Sequence, residues 1–240
     1  VRRSDPGTSA THWRYQPDET PAFDPAVFDE RALAARGALE GGASAGRGNT
    51  FYFTLDGYPL VLRHYRRGGL VRHLSERRYV WTGLERTRAV AEFEMLRTLH
   101  ADGLPVPRPF ACAVNREGPL WRGSLVTHRL PGETLAERLT RGELPAERWE
   151  AIGQCIARFH RAGVWHADLN ASNIMLDRAG AIFLIDFDRA RRRSAVATRW
   201  RAGNIRRLRR SLEKLGERGG RGVDETGFAV LERAWRAGLG

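Results

Sequence analysis

Apolar Phe51, Phe53 and Leu55 recur at every second position from Thr50 to Leu55, and Leu60-Val61-Leu62 form an apolar run within Pro59 to His64, with Asp56-Gly57 between the two stretches. Both stretches read as strands, and Asp-Gly between two β-prone runs signals a tight hairpin. The period changes in RTRAVAEFEMLRTLH (86–100), where Val90, Phe93, Leu96 and Leu99 recur at helical spacing. The proline-studded LPVPRP, Leu104 to Pro109, ends that helix and starts extended chain. Ser124 to His128 reads as a strand, and Pro131-Gly132 breaks the pattern. Helical patterns follow over about 134–140 and 146–162. Two short apolar runs, Ile174 to Leu176 and Ala181 to Ile185, flank Asp177–Gly180 as a second hairpin. Residues 204–216 and 224–237 return to helical spacing.

Near the start, Phe28 to Ala38 suits a short helix, and residues 1–25 form a polar extension expected to be ordered only in part. The order of elements predicts an α+β chain in two parts. Residues 26–130 would be β-rich with one helix, and 131–240 mostly helical with a small hairpin, the boundary falling between Arg129 and Glu133.

Composition adds limits. At 240 residues, 42% hydrophobic and 28% charged, the chain is globular rather than disordered. No apolar run approaches the roughly 20 residues of a membrane-spanning helix. The opening stretch has basic residues but no apolar core, so no secretory signal is expected. Cys112 and Cys155 lie on segments expected to be buried, without zinc-ligand spacing, and are read as free thiols in a reducing compartment. Trp149 and Trp165 are read as core residues.

Charge changes the picture more. The net charge is +12, and only one of the forty basic residues, Lys214, is lysine. Residues 189–221 hold thirteen basic residues against Glu213 and Glu217, an excess of +11. Within them Ile205, Leu208, Leu212 and Leu215 alternate with Arg206, Arg207, Arg209 and Arg210, an amphipathic helix with one basic face. A second cluster, Arg63 to Arg78, carries six arginines against Glu76. Both point to an anionic partner, a choice that charge alone cannot narrow to lipid or nucleic acid.

The chemistry is concentrated in HADLNASNIMLDRAGAIFLIDFD, His166 to Asp188. Asp168 and Asn173 lie on a loop entering one strand of the second hairpin, and Asp186 follows the other strand. The hairpin brings an amide oxygen and a carboxylate together beside a second acid, Asp168. Phosphoryl transfer uses such a set: Mg²⁺ takes carboxylate and amide oxygens along with phosphates, and a carboxylate orients and deprotonates the attacking hydroxyl.

This stretch resembles the catalytic and metal loops of the protein-kinase-like superfamily, with HADLNASN for H-R-D-x-x-x-x-N and DFD for D-F-G. The resemblance implies a bilobal protein-kinase-like fold, Asp168 as catalytic base, Asn173 and Asp186 as Mg²⁺ ligands, and ATP as phosphoryl donor. Gly46-Arg47-Gly48 resembles the glycine-rich phosphate loop, where backbone N–H groups approach phosphate oxygens without a Cβ in the way. Arg63 stands where the nucleotide lysine of that superfamily stands, and Glu92 where its ion-pair partner does; Glu94 is the competitor and is expected to face solvent.

Finer features narrow the resemblance. LRHYRRGGL, RYVWTGLERTRAVAEFEML, GLPVPRP, GVWHADLNASNI, LIDFDRAR and NIRRLRRSLEKL together resemble bacterial 3-deoxy-D-manno-octulosonic acid (Kdo) kinases of the lipopolysaccharide kinase family, from about Phe23 to Leu215. Arginine at the position of Arg63 belongs to that family pattern. The resemblance implies phosphorylation of the Kdo 4-hydroxyl on a Kdo-lipid A precursor, by a peripheral protein at the cytoplasmic face of the bacterial inner membrane. The basic segments would then face an anionic membrane surface, with no nucleic acid and no obligate protein partner expected.

Ala167 replaces the arginine that receives a phosphorylated activation loop in regulated protein kinases, so constitutive activity is expected. Asn170, in place of a lysine, could hydrogen-bond the acceptor sugar or the base. Asp188 could contact substrate or support the metal ligands, and Arg66, Arg67 and Arg189 are candidate contacts to the anionic acceptor. His166 is read as orienting the loop. The shared catalytic parts leave two alternatives open: a kinase-fold phosphotransferase for an aminoglycoside-like small molecule or a protein, and a non-catalytic, anionic-lipid-binding pseudokinase.

Overall fold

The computed structural model describes residues 10–16, 21–40, 50–65, 79–194, 198–217 and 224–240. The chain divides into two compact units: Val1–Arg97 with Arg108–Arg129, and Thr98–Pro107 with Leu130–Gly240.

The first unit is built on an antiparallel sheet of β1 (Ala10–Tyr15), β2 (Thr50–Leu55), β3 (Tyr58–His64), β4 (Tyr79–Val80), β5 (Pro109–Glu117) and β6 (Leu120–His128), in the order β1-β5-β6-β3-β2 with β4 on β6. Asp56 and Gly57 both take positive φ, 50° and 81°, which a tight two-residue hairpin turn requires, and they close β2 onto β3. On β3, Leu60 and Leu62 point into a core with Phe53, Phe110, Ala111 and Val126. A 3₁₀ turn at Pro25–Phe28 and α1 (Glu30–Ala35) close that core with Val27 and Leu33. Helix α2 (Arg88–Ala101) buries Val90, Phe93, Leu96 and Leu99.

Polarity alone predicts no strand before residue 50, yet β1 pairs with β5 over six residues, from Ala10 opposite Arg116 to Tyr15 opposite Ala111. Arg14 finds partners that lie far along the chain, Glu85 and Glu94, and Tyr15 stacks on the nearby Phe23. Glu94 also pairs with Arg97, so it is only part-exposed.

The second unit takes β7 (Glu133–Thr134), α3 (Leu135–Arg141), α4 (Ala146–Arg161), β8 (Val164–Trp165), β9 (Ile174–Leu176), β10 (Ile182–Leu184), β11 (Arg191–Arg192), α5 (Arg199–Glu217) and α6 (Glu225–Ala237). Thr134 and Glu137 form a reciprocal capping box that starts α3. Helix α4 packs along α6, and Gly153 permits their approach: a Cβ there would run into the Leu231 carbonyl and stand 3.0 Å from the Ala234 Cβ. Gly132, at φ 110°, similarly lies against the backbone of β9.

The proline-rich segment after α2 belongs to this unit. Leu184 N–H donates to the Pro105 carbonyl at 3.0 Å, and Arg158 donates to the Gly103 carbonyl at 2.8 Å. These bonds explain why the division between units falls inside α2 and not only near Arg129. Cys112 and Cys155 are buried free thiols, each pushed up to about 12 by burial. Trp149 is core, but Trp165 is only half-buried, on a two-residue strand with the Arg193 guanidinium 4.7 Å above its ring.

Candidate active site

In the second unit β9 and β10 form the expected hairpin, with Ile174 opposite Leu184. Ile185 N–H donates to the Asn173 carbonyl at 3.0 Å, so Asn173 and Asp186 emerge side by side at the strand ends. Asn173 Nδ2 donates to the Asp168 carbonyl at 2.8 Å. That bond ties the two ends of the loop together and leaves the amide oxygen, the atom a hard cation prefers, uncommitted among the described residues. Asp186 has φ 62°, a left-handed conformation that few side chains tolerate and Asp tolerates better than most. Asp168 itself is exposed.

His166 sets the path of the loop. It is 2% exposed, its Nε2 lies 3.0 Å from the Ile185 carbonyl, and its Nδ1 accepts the Asp168 N–H at 3.2 Å. One contact needs a donor and the other an acceptor, so only the neutral Nε2–H tautomer serves both. Burial lowers its pKa and acts in the same sense, opposed by the bond to Ile185. The ring meets Phe187 edge-on at 5.0 Å, and Phe187 stacks on Phe159 of α4 at 5.7 Å.

Helix α5 is the loop's second support. Asn204, 2% exposed, donates from Nδ2 to the His166 carbonyl at 2.8 Å and accepts the His166 N–H on Oδ1 at 3.3 Å. The same Oδ1 faces His160 Nε2 at 3.3 Å, and His160 Nδ1 accepts from Trp235 Nε1 at 2.8 Å. Accepting at Nδ1 requires the neutral form of His160, and burial pushes its pKa down to about 4. Ala171 N–H donates to Ser211 Oγ at 3.1 Å, and Arg207 Nη1 lies 3.3 Å from Asp168 Oδ1.

Asn170 is committed to the loop. Its Oδ1 accepts the Ser172 N–H at 2.8 Å and its Nδ2 donates to the Asp168 carbonyl at 3.1 Å. It caps the 3₁₀ turn Ala171–Asn173. Asp188 is half-buried in the turn after β10, and Arg189 beside it is exposed with φ 60°.

In the first unit, the alternation of β3 puts Arg63 and Tyr65 on the face opposite Leu60 and Leu62. Helix α2 carries Glu92 to them. Glu92 is 3% exposed, and its Oε2 accepts from both the Arg63 guanidinium and the Tyr65 hydroxyl. Arg63 also lies over the Tyr65 ring at 5.1 Å. Burial first, and Glu92 second, hold the Tyr65 hydroxyl well above its usual pKa, so it remains a donor. The structure therefore brings Arg63 together with Glu92, while Glu94 belongs to Arg14 and Arg97.

Gly46, Arg47, Gly48, Arg66 and Arg67 lie outside the described residues, as do parts of the two basic segments. Among the described residues no three His, Cys, Asp or Glu side chains gather as a metal cage. The donor set of Asn173 and Asp186, one amide oxygen and one carboxylate, fits a Mg²⁺ ion that completes its shell with phosphates and water.

Six residues stand outside the motif-based expectation: Tyr65, Asn204, Arg207, Ser211, His160 and Trp235. Asn204 left a trace in the sequence, as a polar residue on the stripe that Ile205, Leu208 and Leu212 make apolar. Tyr65 left one too, two residues beyond Arg63 on the same strand face.

Residues 37–227 match the family described as "Lipopolysaccharide kinase (Kdo/WaaP) family". Proteins named "3-deoxy-D-manno-octulosonic acid kinase" are similar over most of their length. That of Xylella fastidiosa (strain M23) is 44% identical over 215 residues, 90% of this chain and 82% of the relative. That of Xanthomonas axonopodis pv. citri (strain 306) is 47% identical over 199 residues, 82% and 79% of the two chains. That of Stenotrophomonas maltophilia (strain K279a) is 46% identical over 194 residues, 79% and 76%. With Arg63, Glu92 and the loop from His166 to Asp188 falling inside the matched region, the chain belongs to the lipopolysaccharide kinase (Kdo/WaaP) family.

Proposed function

We propose that this protein transfers the γ-phosphoryl group of ATP to the 4-hydroxyl of Kdo on a Kdo-lipid A precursor, a step of lipopolysaccharide core assembly. The observation that carries this reading is the bracing of an exposed Asp168 beside Asn173 and Asp186, in a chain 44% identical to Kdo kinases over 215 residues. The two units correspond in this reading to the N- and C-lobes of a kinase-like fold.

The residues divide the work as follows. Asp168 accepts the proton of the sugar hydroxyl and aligns its oxygen for attack. Asn173 and Asp186 would hold Mg²⁺, which when bound neutralises charge on the nucleotide phosphates. In the first unit Arg63, fixed by Glu92 and Tyr65, offers a planar cation to those phosphates, a task that lysine performs elsewhere as a point charge. Gly46, Arg47 and Gly48 would cover the phosphates with backbone N–H groups, and Arg66, Arg67 and Arg189 would meet the anionic acceptor.

Attachment to the cytoplasmic face of the inner membrane is part of the proposal. Its support is the basic face of α5, where Arg206, Arg210 and Lys214 are exposed. Near an anionic leaflet each is worth about 1 kcal/mol, screened by salt. Arg209 is spent internally, on Glu213 and Glu225.

The test is mass spectrometry of the lipid after incubation with Mg-ATP and a Kdo-lipid A precursor, with NMR to locate the new ester. A gain of one phosphate at the Kdo 4-position is expected. Transfer to free aminoglycosides or to protein in place of the lipid would overturn the assignment.

A further inference from the structure

Three polar side chains of α5 meet the loop in step. Asn204 holds the His166 peptide, Arg207 reaches Asp168 and Ser211 accepts from Ala171. Residues three, four and seven apart on a helix share one face, so the helix lies along the loop from 166 to 171. The outer two contacts fix the register between helix and loop. The middle one then places a guanidinium, Nη1 3.3 Å from Oδ1, on the carboxylate that accepts the acceptor's proton.

The pair is open. The Arg207 side chain is 45% exposed and that of Asp168 60%. A single contact at this exposure contributes little to stability. It also uses only a fraction of the five N–H donors of a guanidinium, and the rest are uncommitted among the described residues.

The loop has no cation of its own. From His166 to Asn173 it contains neither Lys nor Arg, and His166 is held neutral between Ile185 and Asp168. Asn170, at the position a lysine occupies in protein kinases, is tied to the loop backbone. Yet the transferred phosphoryl group carries negative charge on its three outer oxygens and meets a hydroxyl that is losing its proton to another anion.

We propose that Arg207 is a further catalytic residue, whose guanidinium binds the outer oxygens of the phosphoryl group as it passes to the hydroxyl held by Asp168. This rests on the phosphotransfer reading above. In the step, the acceptor O–H proton goes to the Asp168 carboxylate and the acceptor oxygen forms the new O–P bond. The bond from Pγ to the bridging oxygen breaks, and its electron pair leaves with ADP. Arg207 exchanges no proton, since a guanidinium stays charged throughout; it contributes two-point contact and charge. The cation that protein kinases carry on the loop is here delivered by the helix behind it.

The test compares wild type with Arg207→Ala, Arg207→Gln and Arg207→Lys in steady-state transfer to a Kdo-lipid A precursor, with a melting curve for each and with added guanidinium chloride at millimolar level. Arg207→Ala should lower kcat by roughly 10²- to 10³-fold, as loss of one charge-stabilising donor does, with both KM values and the melting temperature nearly unchanged. Arg207→Lys should recover part of the rate. Guanidinium should restore part of the Arg207→Ala rate, saturably, and nothing in Asp168→Ala. A wild-type kcat in Arg207→Ala overturns the proposal. So does a defect confined to acceptor KM, which would make Arg207 a cation for the acceptor's carboxylate. A rate loss that follows a lowered melting temperature and resists guanidinium also overturns it, as a structural effect. If wild type itself transfers no phosphate to the lipid, the phosphotransfer reading fails and this proposal falls with it.

Discussion

Asn204 grips the peptide of His166 at both ends, donating to its carbonyl at 2.8 Å and accepting its N–H at 3.3 Å. A buried amide that satisfies both backbone polar groups of one residue has no close substitute, because carboxylates cannot donate and aliphatic side chains can do neither. Asn204→Asp should destabilise the protein by roughly 1–3 kcal/mol, the cost of an unsatisfied buried carbonyl, and slow transfer by misplacing Asp168. Urea denaturation alongside kcat measures both; an Asn204→Asp protein as stable and active as wild type would show that the clamp is dispensable.

Removing the proposed base separates chemistry from folding. Asp168 is exposed, and among the described residues its side chain makes one weak ion pair, with Arg207. Asp168→Ala should therefore lose at least ~10²-fold in kcat with a melting temperature close to wild type. Phosphate transfer from radiolabelled ATP gives the first number and calorimetry the second.

Glu92 is buried and shared by Arg63 and Tyr65. Truncating one side of such a pair strands the other. Arg63→Ala removes the cation from a buried carboxylate and leaves the Tyr65 hydroxyl still donating to it, and should cost about 3 kcal/mol or more. Glu92→Gln, which keeps an acceptor, should cost less. The order of the two variants in chemical denaturation is the observable, and the reverse order would contradict a buried, charge-dependent pair.

The His160 pKa is lowered to about 4 by burial, so the fold prefers the neutral ring. Between the ordinary value near 6.5 and about 4, the unfolded chain binds the proton and the folded one does not. The contribution of His160 is thus fully present above pH ~6.5, declines as the pH falls through that window, and is gone below about 4. His166, lowered in the same direction, adds to the slope. In His160→Gln, which keeps an acceptor for Trp235 and a donor for Asn204, stability measured from pH 7 to 4 should fall less steeply than in wild type.

Gly153 lies where α4 meets the backbone of α6. An added methyl would contact the Leu231 carbonyl, and backbone cannot swing aside as a side chain can. Gly153→Ala should destabilise by about 1–3 kcal/mol despite alanine's better helix propensity. An unchanged or raised melting temperature would show that the two helices can part without cost.

Much of this protein was legible along the chain. The Asp56-Gly57 hairpin, the helical repeat of Val90, Phe93, Leu96 and Leu99, and the hairpin joining Asn173 to Asp186 all rest on local rules: side-chain period, turn chemistry and proline's missing donor. So does the apolar stripe of α5. The strand β1 was not legible, because its polar residues are stabilised by β5 and by Glu85 and Glu94, some 70 to 100 positions away. Nor could spacing tell that Asn170 is tied to backbone, that Trp165 is half-buried, or that residues 98–107 join the second unit.

The same division runs through the site. Sequence alone singled out the residues proposed to carry the chemistry, Asp168, Asn173 and Asp186, because their spacing follows from a loop and a hairpin that are local structures. Tertiary structure alone decided what holds them: His166 neutral between two backbone groups, Asn204 on its peptide, and Arg207 on the carboxylate of Asp168. These contacts join a loop to a helix about 40 residues away, and only packing of the apolar stripe of α5 brings that helix's polar face to the loop. The +11 of residues 189–221 read as a docking surface from the sequence. In the fold one of its arginines reaches the proposed base, because the helix that buries Leu208 must turn Arg207 to one side of it.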